Sequence, residues 1–207
     1  HATFRFLRHL PASRTSQIRP LVTHGGIPVE TDLYRALTRN ADSDAAKQLE
    51  GLGAELAVSD TENRKSLIRT AKGVDAVYAM TTFIPAGLEA EVRQGRMIAH
   101  TVKAADVENF LYASVAGADR STAIPHFGSK YEIEKHIKLL GIPYTIVAPV
   151  FFSENLLSPW ALPELIEGKL ALPVPLDRLL QQISAPGHLL VCCPGAGEPR
   201  ALSGQAH

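Results

Sequence analysis

The chain has 207 residues, of which 45% are apolar, and its 21 basic residues are balanced by 21 acidic ones. That length holds one domain of fair size, or a domain with a small appendage, with enough apolar side chains to bury a core. Balanced charge provides no field for direct nucleic-acid or membrane-surface binding, and no apolar run approaches the roughly 18–20 residues that span a bilayer.

Residues 1–30 differ from the rest: four arginines, three histidines, no lysine and one acid, Glu30, with Pro11, Pro20 and Pro28 breaking any long helix. Charges interrupt the apolar part of HATFRFLRHL and no small-residue cleavage site follows, so no secretory leader is expected and cytoplasm is the default. A start at His1 rather than Met reads as a trimmed or incomplete beginning. From Arg35 the pattern becomes regular, and Leu33 to Thr38 predicts a strand. Ser43 can cap a helix that runs to Leu52, with Gly53 beyond it; Glu55 to Val58 is the next strand. Asn63 to Lys72 predicts a helix with Leu67, Ile68 and Ala71 on one side, ended by Gly73. Val74 to Thr82 is a long apolar strand. Leu88, Val92, Gly95, Ala99 and Val102 then recur at helical spacing, with Gly95 placed to bring the helix close to the sheet.

The second half centres on a strand, helix, strand unit. Asn109 to Val115 and Tyr144 to Phe152 are apolar runs suited to strands covered on both faces. The helix between them follows Pro125 and ends at Gly141, with Ile133, Ile137 and Leu140 forming its apolar face. Lys130 falls on that face near the helix start, where a cation opposes the helix dipole at a cost of about 0.3–1 kcal/mol. Either an anionic or hydroxylated group meets it, or it snorkels and pairs with Glu134 four residues on. The alternation implies an α/β fold, a Rossmann-like parallel sheet with helices on both faces, whose ligands bind beyond the carboxyl ends of the strands.

Such a sheet ordinarily begins with a strand, a glycine-rich turn and a helix whose N–H groups hold a pyrophosphate. Leu21 to Thr23 followed by Gly25 and Gly26 imitate the strand and turn, but too few residues remain for a helical crossover and Pro28 interrupts them. The fingerprint therefore reads as missing, with the first strand irregular or replaced by the unusual N-terminus. From Ala185 the tail holds both cysteines, Cys192 and Cys193, with three prolines, four glycines, one acid and no lysine, and is expected to pack loosely. Adjacent cysteines suit neither a structural disulfide nor a zinc site, and no metal is expected. The organisation is an atypical segment 1–30, an incomplete Rossmann-like domain 31–183, whose end and dinucleotide binding are implied by the resemblance described below, and a tail 184–207. Frame or exon errors flanking a genuine central fragment, or ends that fold in their own way, account for both departures.

The run SVAGADRSTAIPHFGSKYEIEKHI followed by GIPYTIVAPVFFSENLLSPW resembles the NmrA-like family, atypical relatives of the short-chain dehydrogenases, with similarity from about Arg35 to Ile183. The resemblance implies a domain that binds NADP, with NAD the alternative. It places Thr38, Arg39 and Asn40 beside the adenosine ribose, where an arginine would pair with a 2′-phosphate, and Asp60 near the adenine, with Ser59 replacing the usual glycine; otherwise Asp60 is an N-cap. It implies that Thr81, Thr82 and Phe83 line the cofactor, that Ser114 occupies the dehydrogenase serine position, and that Pro149, Val150, Phe151, Phe152 and Asn155 close over the nicotinamide, unless a phenylalanine serves the core. Lys130 matches the cofactor-binding lysine. His126 stands where the catalytic tyrosine would be, so His126 and Lys130 are the candidate catalytic pair.

Three functions follow from that resemblance. One is a redox-cofactor-sensing regulator without efficient turnover, which passes the state of its dinucleotide to a protein partner. Another is an NADPH-dependent oxidoreductase. The third is a non-functional family fragment.

Overall fold

A computed structural model describes residues 3–7, 21–22, 28–29, 34–120, 124–159, 161–169 and 179–184. Two compact units divide the chain: His1–Arg19 with Glu30–Ala148, and Pro20–Val29 with Pro149–His207. Strand β1 is Thr3–Leu7; β2, Leu21–Val22, and β3, Pro28–Val29, pair with each other in the second unit. The regular alternation follows as β4 (Tyr34–Thr38), α1 (Asp44–Gly51), β5 (Glu55–Val58), α2 (Arg64–Ala71), β6 (Ala76–Met80), α3 (Leu88–Ala104), β7 (Asn109–Ala113), α4 (Pro125–Leu139) and β8 (Tyr144–Val147). In the second unit β9, Phe151–Phe152, pairs in parallel with β10, Gln182–Ile183, and the short helix α5 spans Leu162–Ile166. No helix among the described residues is long and apolar enough to cross a membrane.

The first unit carries one sheet in the order β5-β4-β1-β6-β7-β8. The pairs β4 with β5, β6 with β7 and β7 with β8 are parallel, as crossover helices require. Right-handed crossovers put helices on opposite faces when the chain moves in opposite directions across a sheet. The step from β4 out to β5 therefore sets α1 on one face, and the steps from β5 through β6 and β7 to β8 set α2, α3 and α4 on the other. Those three helices pack in a row. The main core lies beneath them: Ala71 of α2, Val77 and Ala79 of β6, Ile98, Ala99 and Val102 of α3, Phe110 and Tyr112 of β7, and Ile133 and Ile137 of α4. This is the doubly wound, Rossmann-like α/β arrangement expected from the alternation.

Local chemistry sets the element ends. Ser43 Oγ accepts the Ala46 N–H, Asn63 Oδ1 accepts the Ser66 N–H, and Gly53, Gly73 and Gly141 take positive φ after their helices. Pro125 is the first helical residue of α4, where its missing N–H costs nothing, rather than a residue ahead of the helix. Arg35 of β4 is buried, donates to the Thr70 carbonyl at the end of α2 at 2.7 Å and pairs with Glu55 of the neighbouring strand at 3.0 Å.

The central place of the sheet is taken by the unusual N-terminus, and it runs the wrong way. β1 pairs antiparallel with both β4 and β6, so that Thr3 lies opposite Met80 and Leu7 opposite Ala76. Leu21–Val22, the other candidate for a first strand, does not join this sheet, and residues 23–27 with Gly25 and Gly26 lie outside the described residues. So does the tail from 185 onward.

Three sequence expectations are corrected here. Gly95 brings α3 close to α4 rather than to the sheet, because a Cβ at Gly95 would sit 2.5 Å from Ile133 Cδ1. Tyr144 to Phe152 is not one strand covered on two faces. It is the edge strand of the described sheet, Tyr144–Val147, with Tyr144 and Thr145 exposed, and a separate strand Phe151–Phe152; among the described residues β8 has a strand neighbour on one side only. Lys130 does not pair with Glu134; its partner is Glu91 of α3.

Candidate functional site

Parallel strands β4, β5, β6 and β7 end along one edge, and most of the predicted site residues stand there. At the β4 end the Thr38 hydroxyl donates to the Asn40 carbonyl at 2.9 Å and accepts the Asn40 N–H at 3.2 Å, while Asn40 Oδ1 accepts the Asp42 N–H. These bonds turn the chain sharply from strand to helix and leave Arg39 and Asn40 exposed. The Ser59 N–H donates to the Thr38 carbonyl at 2.9 Å, which brings the β5 end alongside. Asp60 is exposed and accepts the Glu62 N–H, whereas the cap of α2 is Asn63, which corrects the N-cap reading of Asp60. Ser59 Oγ is buried without a hydrogen-bond partner among the described residues.

The ends of β6 and β7 hold a second cluster, more buried and more charged. Lys130 Nζ donates to the Thr81 carbonyl, lies 3.1 Å from Thr81 Oγ1 and pairs with Glu91 Oε1 at 3.0 Å. An ammonium has three protons, and these three partners take all of them. Thr81 Oγ1 also lies 3.2 Å from Glu91 Oε1 and 2.9 Å from the Tyr112 hydroxyl, and Ser129 Oγ donates to Glu91 Oε2 at 2.6 Å. Glu91 is 0% exposed, so each bond it accepts offsets the desolvation of a full charge. Burial holds Lys130 below the ordinary lysine range, with the Glu91 carboxylate acting in the opposite direction. Burial likewise pushes the Tyr112 hydroxyl above the tyrosine range, against its bond to Thr81.

Beside this cluster Ser114, at the end of β7, donates its hydroxyl to Glu134 Oε1, and Glu134 Oε2 lies 3.5 Å from Lys138. The Phe83 ring stacks on His126 with centroids 5.4 Å apart, and His126 precedes Lys130 by one turn of α4. Thr82 Oγ1 accepts the Ile84 N–H. The structure thus joins Thr81 to Lys130 and Phe83 to His126, and sets Thr38, Arg39, Asn40 and Asp60 together at the neighbouring strand ends. Pro149, Val150, Phe151, Phe152 and Asn155 belong to the second unit, where both phenylalanines are half-buried in the β9 strand.

Glu91, Tyr112 and Ser129 escaped sequence reasoning, and Glu134 was considered only as a partner of Lys130, whereas it accepts from Ser114. A signal was present for Glu91, because an acid at 91 falls in line with Gly95, Ile98 and Val102 on the buried stripe of α3. Ser129 and Glu134 flank Lys130 and Ile133 on α4 in the same way.

Comparison with known proteins agrees with this fold. The chain is 30% identical over 139 residues to an NmrA-like family domain-containing protein of Dictyostelium discoideum, covering 64% of this chain and 44% of that one. It is 26% identical over 183 residues to an NAD(P)H azoreductase of Xenophilus azovorans, covering 83% of this chain and 61% of the relative. The chain thus spans roughly half the length of these curated relatives. Among solved structures, an NADPH-dependent quinone oxidoreductase of Escherichia coli in complex with NADPH superimposes with a TM-score of 0.56 at 25% identity, over 65% of this chain and 44% of that one. A Citrobacter triphenylmethane reductase complexed with NADP(H) shares the fold, with a TM-score of 0.59 at 19% identity over 67% of this chain and 47% of its own. The model of the NmrA-like family matches residues 30–185, well over half the chain, and this protein belongs to that family.

Proposed function

We propose that this domain binds a nicotinamide dinucleotide, NADP in preference to NAD, along the edge formed by β4, β5, β6 and β7, and reports its redox state to a protein partner in the cytoplasm without efficient turnover. The observation that carries the non-catalytic part is the commitment of all three Lys130 protons to Thr81 and Glu91. A lysine so engaged has an N–H for a ribose hydroxyl only if it gives up a bond to Thr81 or the buried ion pair with Glu91. Ser114 is similarly engaged, by Glu134.

The residues fit a dinucleotide at its two ends. Exposed Arg39 suits a 2′-phosphate, Asp60 is open to solvent, and the Ser59 hydroxyl, without a hydrogen-bond partner among the described residues, lies at the same strand end. Phe83 and His126 supply a half-exposed stacked pair at the other end. The middle does not fit. A pyrophosphate needs backbone N–H groups in a turn after a parallel central strand, but β1 is antiparallel and its last residue, Leu7, lies beside Ala76, where the parallel strands begin. Each missing charge-assisted bond is worth about 1.5–3 kcal/mol and about 1.4 kcal/mol is tenfold in affinity, so binding is expected several powers of ten weaker than with an intact turn.

Calorimetric titration of the full chain with NADPH and with NADH tests this. Binding weaker than micromolar, with NADPH preferred, supports the proposal. Micromolar or tighter affinity overturns the reasoning about the missing turn. No heat at any attainable concentration overturns cofactor sensing and leaves the non-functional fragment.

One observation favours an oxidoreductase instead: the His126 imidazole, stacked on Phe83 and one turn from Lys130, is half-exposed, as an acid for the reaction would have to be. Turnover of NADPH with quinone or azo-dye acceptors by the purified chain would establish that second reading.

A further inference from the structure

Away from the strand-end edge, α3 and α4 meet along a seam of paired side chains. Gly95 gives Ile133 room, which lets the two helices approach closely. Along the seam Arg96 pairs with Glu132 at 3.6 Å, His100 meets His136, and Lys103 donates to the Leu140 carbonyl at 2.9 Å. The partners advance together by about one turn, as expected for neighbouring crossover helices that run the same way. The middle rung is the unusual one. Its two imidazoles present Nε2 to Nε2 at 3.1 Å, with centroids 4.8 Å apart and planes inclined at 66°, at the solvent side of the seam.

We infer that His100 and His136 form a chelating site for a divalent transition-metal ion of the kind imidazole prefers, such as Zn²⁺. Two nitrogens bound to one ion at about 2.0–2.1 Å stand about 3.3–3.4 Å apart in a tetrahedral sphere, and about 2.8–3.0 Å apart when cis in a square plane. The observed 3.1 Å lies between these values, so small rotations about Cβ–Cγ bring both lone pairs onto one ion. In the metal-free pair one Nε2 carries the proton that the other accepts. A tautomer shift moves that proton to Nδ1 of the same ring, which frees both Nε2 lone pairs without net proton release. Glu132, one turn before His136, is held by Arg96 and Lys135. Among the described residues no third side-chain ligand joins the pair, and water is assigned to the remaining positions of the sphere. Because the ligands come from two helices, an ion here also ties α3 to α4. Being bound only by the folded chain, it raises stability by mass action.

The test is a titration of the untagged full chain with zinc chloride in a non-coordinating buffer near neutral pH, run beside His100→Gln and His136→Gln. The wild-type chain is expected to bind one more equivalent than either variant, or to bind at least tenfold more tightly, and to melt at a higher temperature with zinc only when both histidines are present. Equal stoichiometry and affinity in all three proteins would overturn the inference, since any zinc bound would then sit at other residues. Ring ¹⁵N spectra of the wild-type chain give an independent readout should a variant fold poorly. Zinc must shift the Nε2 resonances of both His100 and His136 and leave His126 in place; unmoved resonances sink the site.

Discussion

Removing the charge from Lys130 without removing Glu91 should be the most damaging single change in this fold. Glu91 is 0% exposed, and Lys130→Met leaves its carboxylate with only the Thr81 and Ser129 hydroxyls as donors. Breaking a buried pair in this way costs about 3–5 kcal/mol, because the surviving charge is desolvated and uncompensated. Domains of this size are typically stable by about 5–15 kcal/mol, so one substitution takes a large share. Glu91→Leu should cost a similar amount, since it strands the Lys130 ammonium against the Thr81 carbonyl. The double variant Glu91→Leu with Lys130→Met removes both charges into similar volumes and is expected within about 1 kcal/mol of wild type, or above it. Urea unfolding followed by far-ultraviolet circular dichroism measures this, provided the denaturant slope is the same in all four proteins. A double variant as unstable as the two single losses added together would refute the reasoning. So would single variants that unfold at the wild-type midpoint, which would mean that water reaches the pair in solution.

The Tyr112 hydroxyl is held above the tyrosine range by burial, so the folded chain keeps a proton that the unfolded chain releases above about pH 10. Stability should therefore be intact below that pH and fall by up to about 1.4 kcal/mol per unit above it; Tyr112→Phe should remove this part of the slope, and an unchanged slope would exclude Tyr112 as its source. Gly95→Ala places a methyl 2.5 Å from Ile133 Cδ1 and should cost about 1–3 kcal/mol, while adding Ile133→Ala should cost less than the sum of the two changes; strict additivity in thermal melts would show that the seam is not close-packed there. If NADPH turnover is found, His126→Ala should lower it by about 10²–10⁴-fold with little change in cofactor affinity, and equal activity would remove His126 from the mechanism.

Much of the fold was legible because the relevant signals are local. The helix cap at Ser43, glycines 53, 73 and 141 at helix ends, and apolar spacing in α3 and α4 each depend on a few neighbouring residues, and the elements from β4 to β7 formed within a residue or two of expectation. The resemblance carried by the Ser114 to Trp160 stretch identified the family. That stretch also marked Lys130 as unusual, since a cation near the start of a helix and on its apolar face needs a partner. What the partner would be was not local. Glu91 lies 39 positions away and reaches Lys130 only because right-handed crossovers set α3 and α4 side by side, with Gly95 letting them close. The contact of His100 with His136 arises from the same packing. The direction of β1 is likewise a tertiary outcome: residues 3–7 can pair with β4 and β6 in either sense, and period-two alternation is the same read forwards or backwards. Sequence alone thus determined the alternation from β4 to β8 and the family. Only the folded sheet decided which end of its central strand faces the candidate site, and hence whether a pyrophosphate turn can stand there.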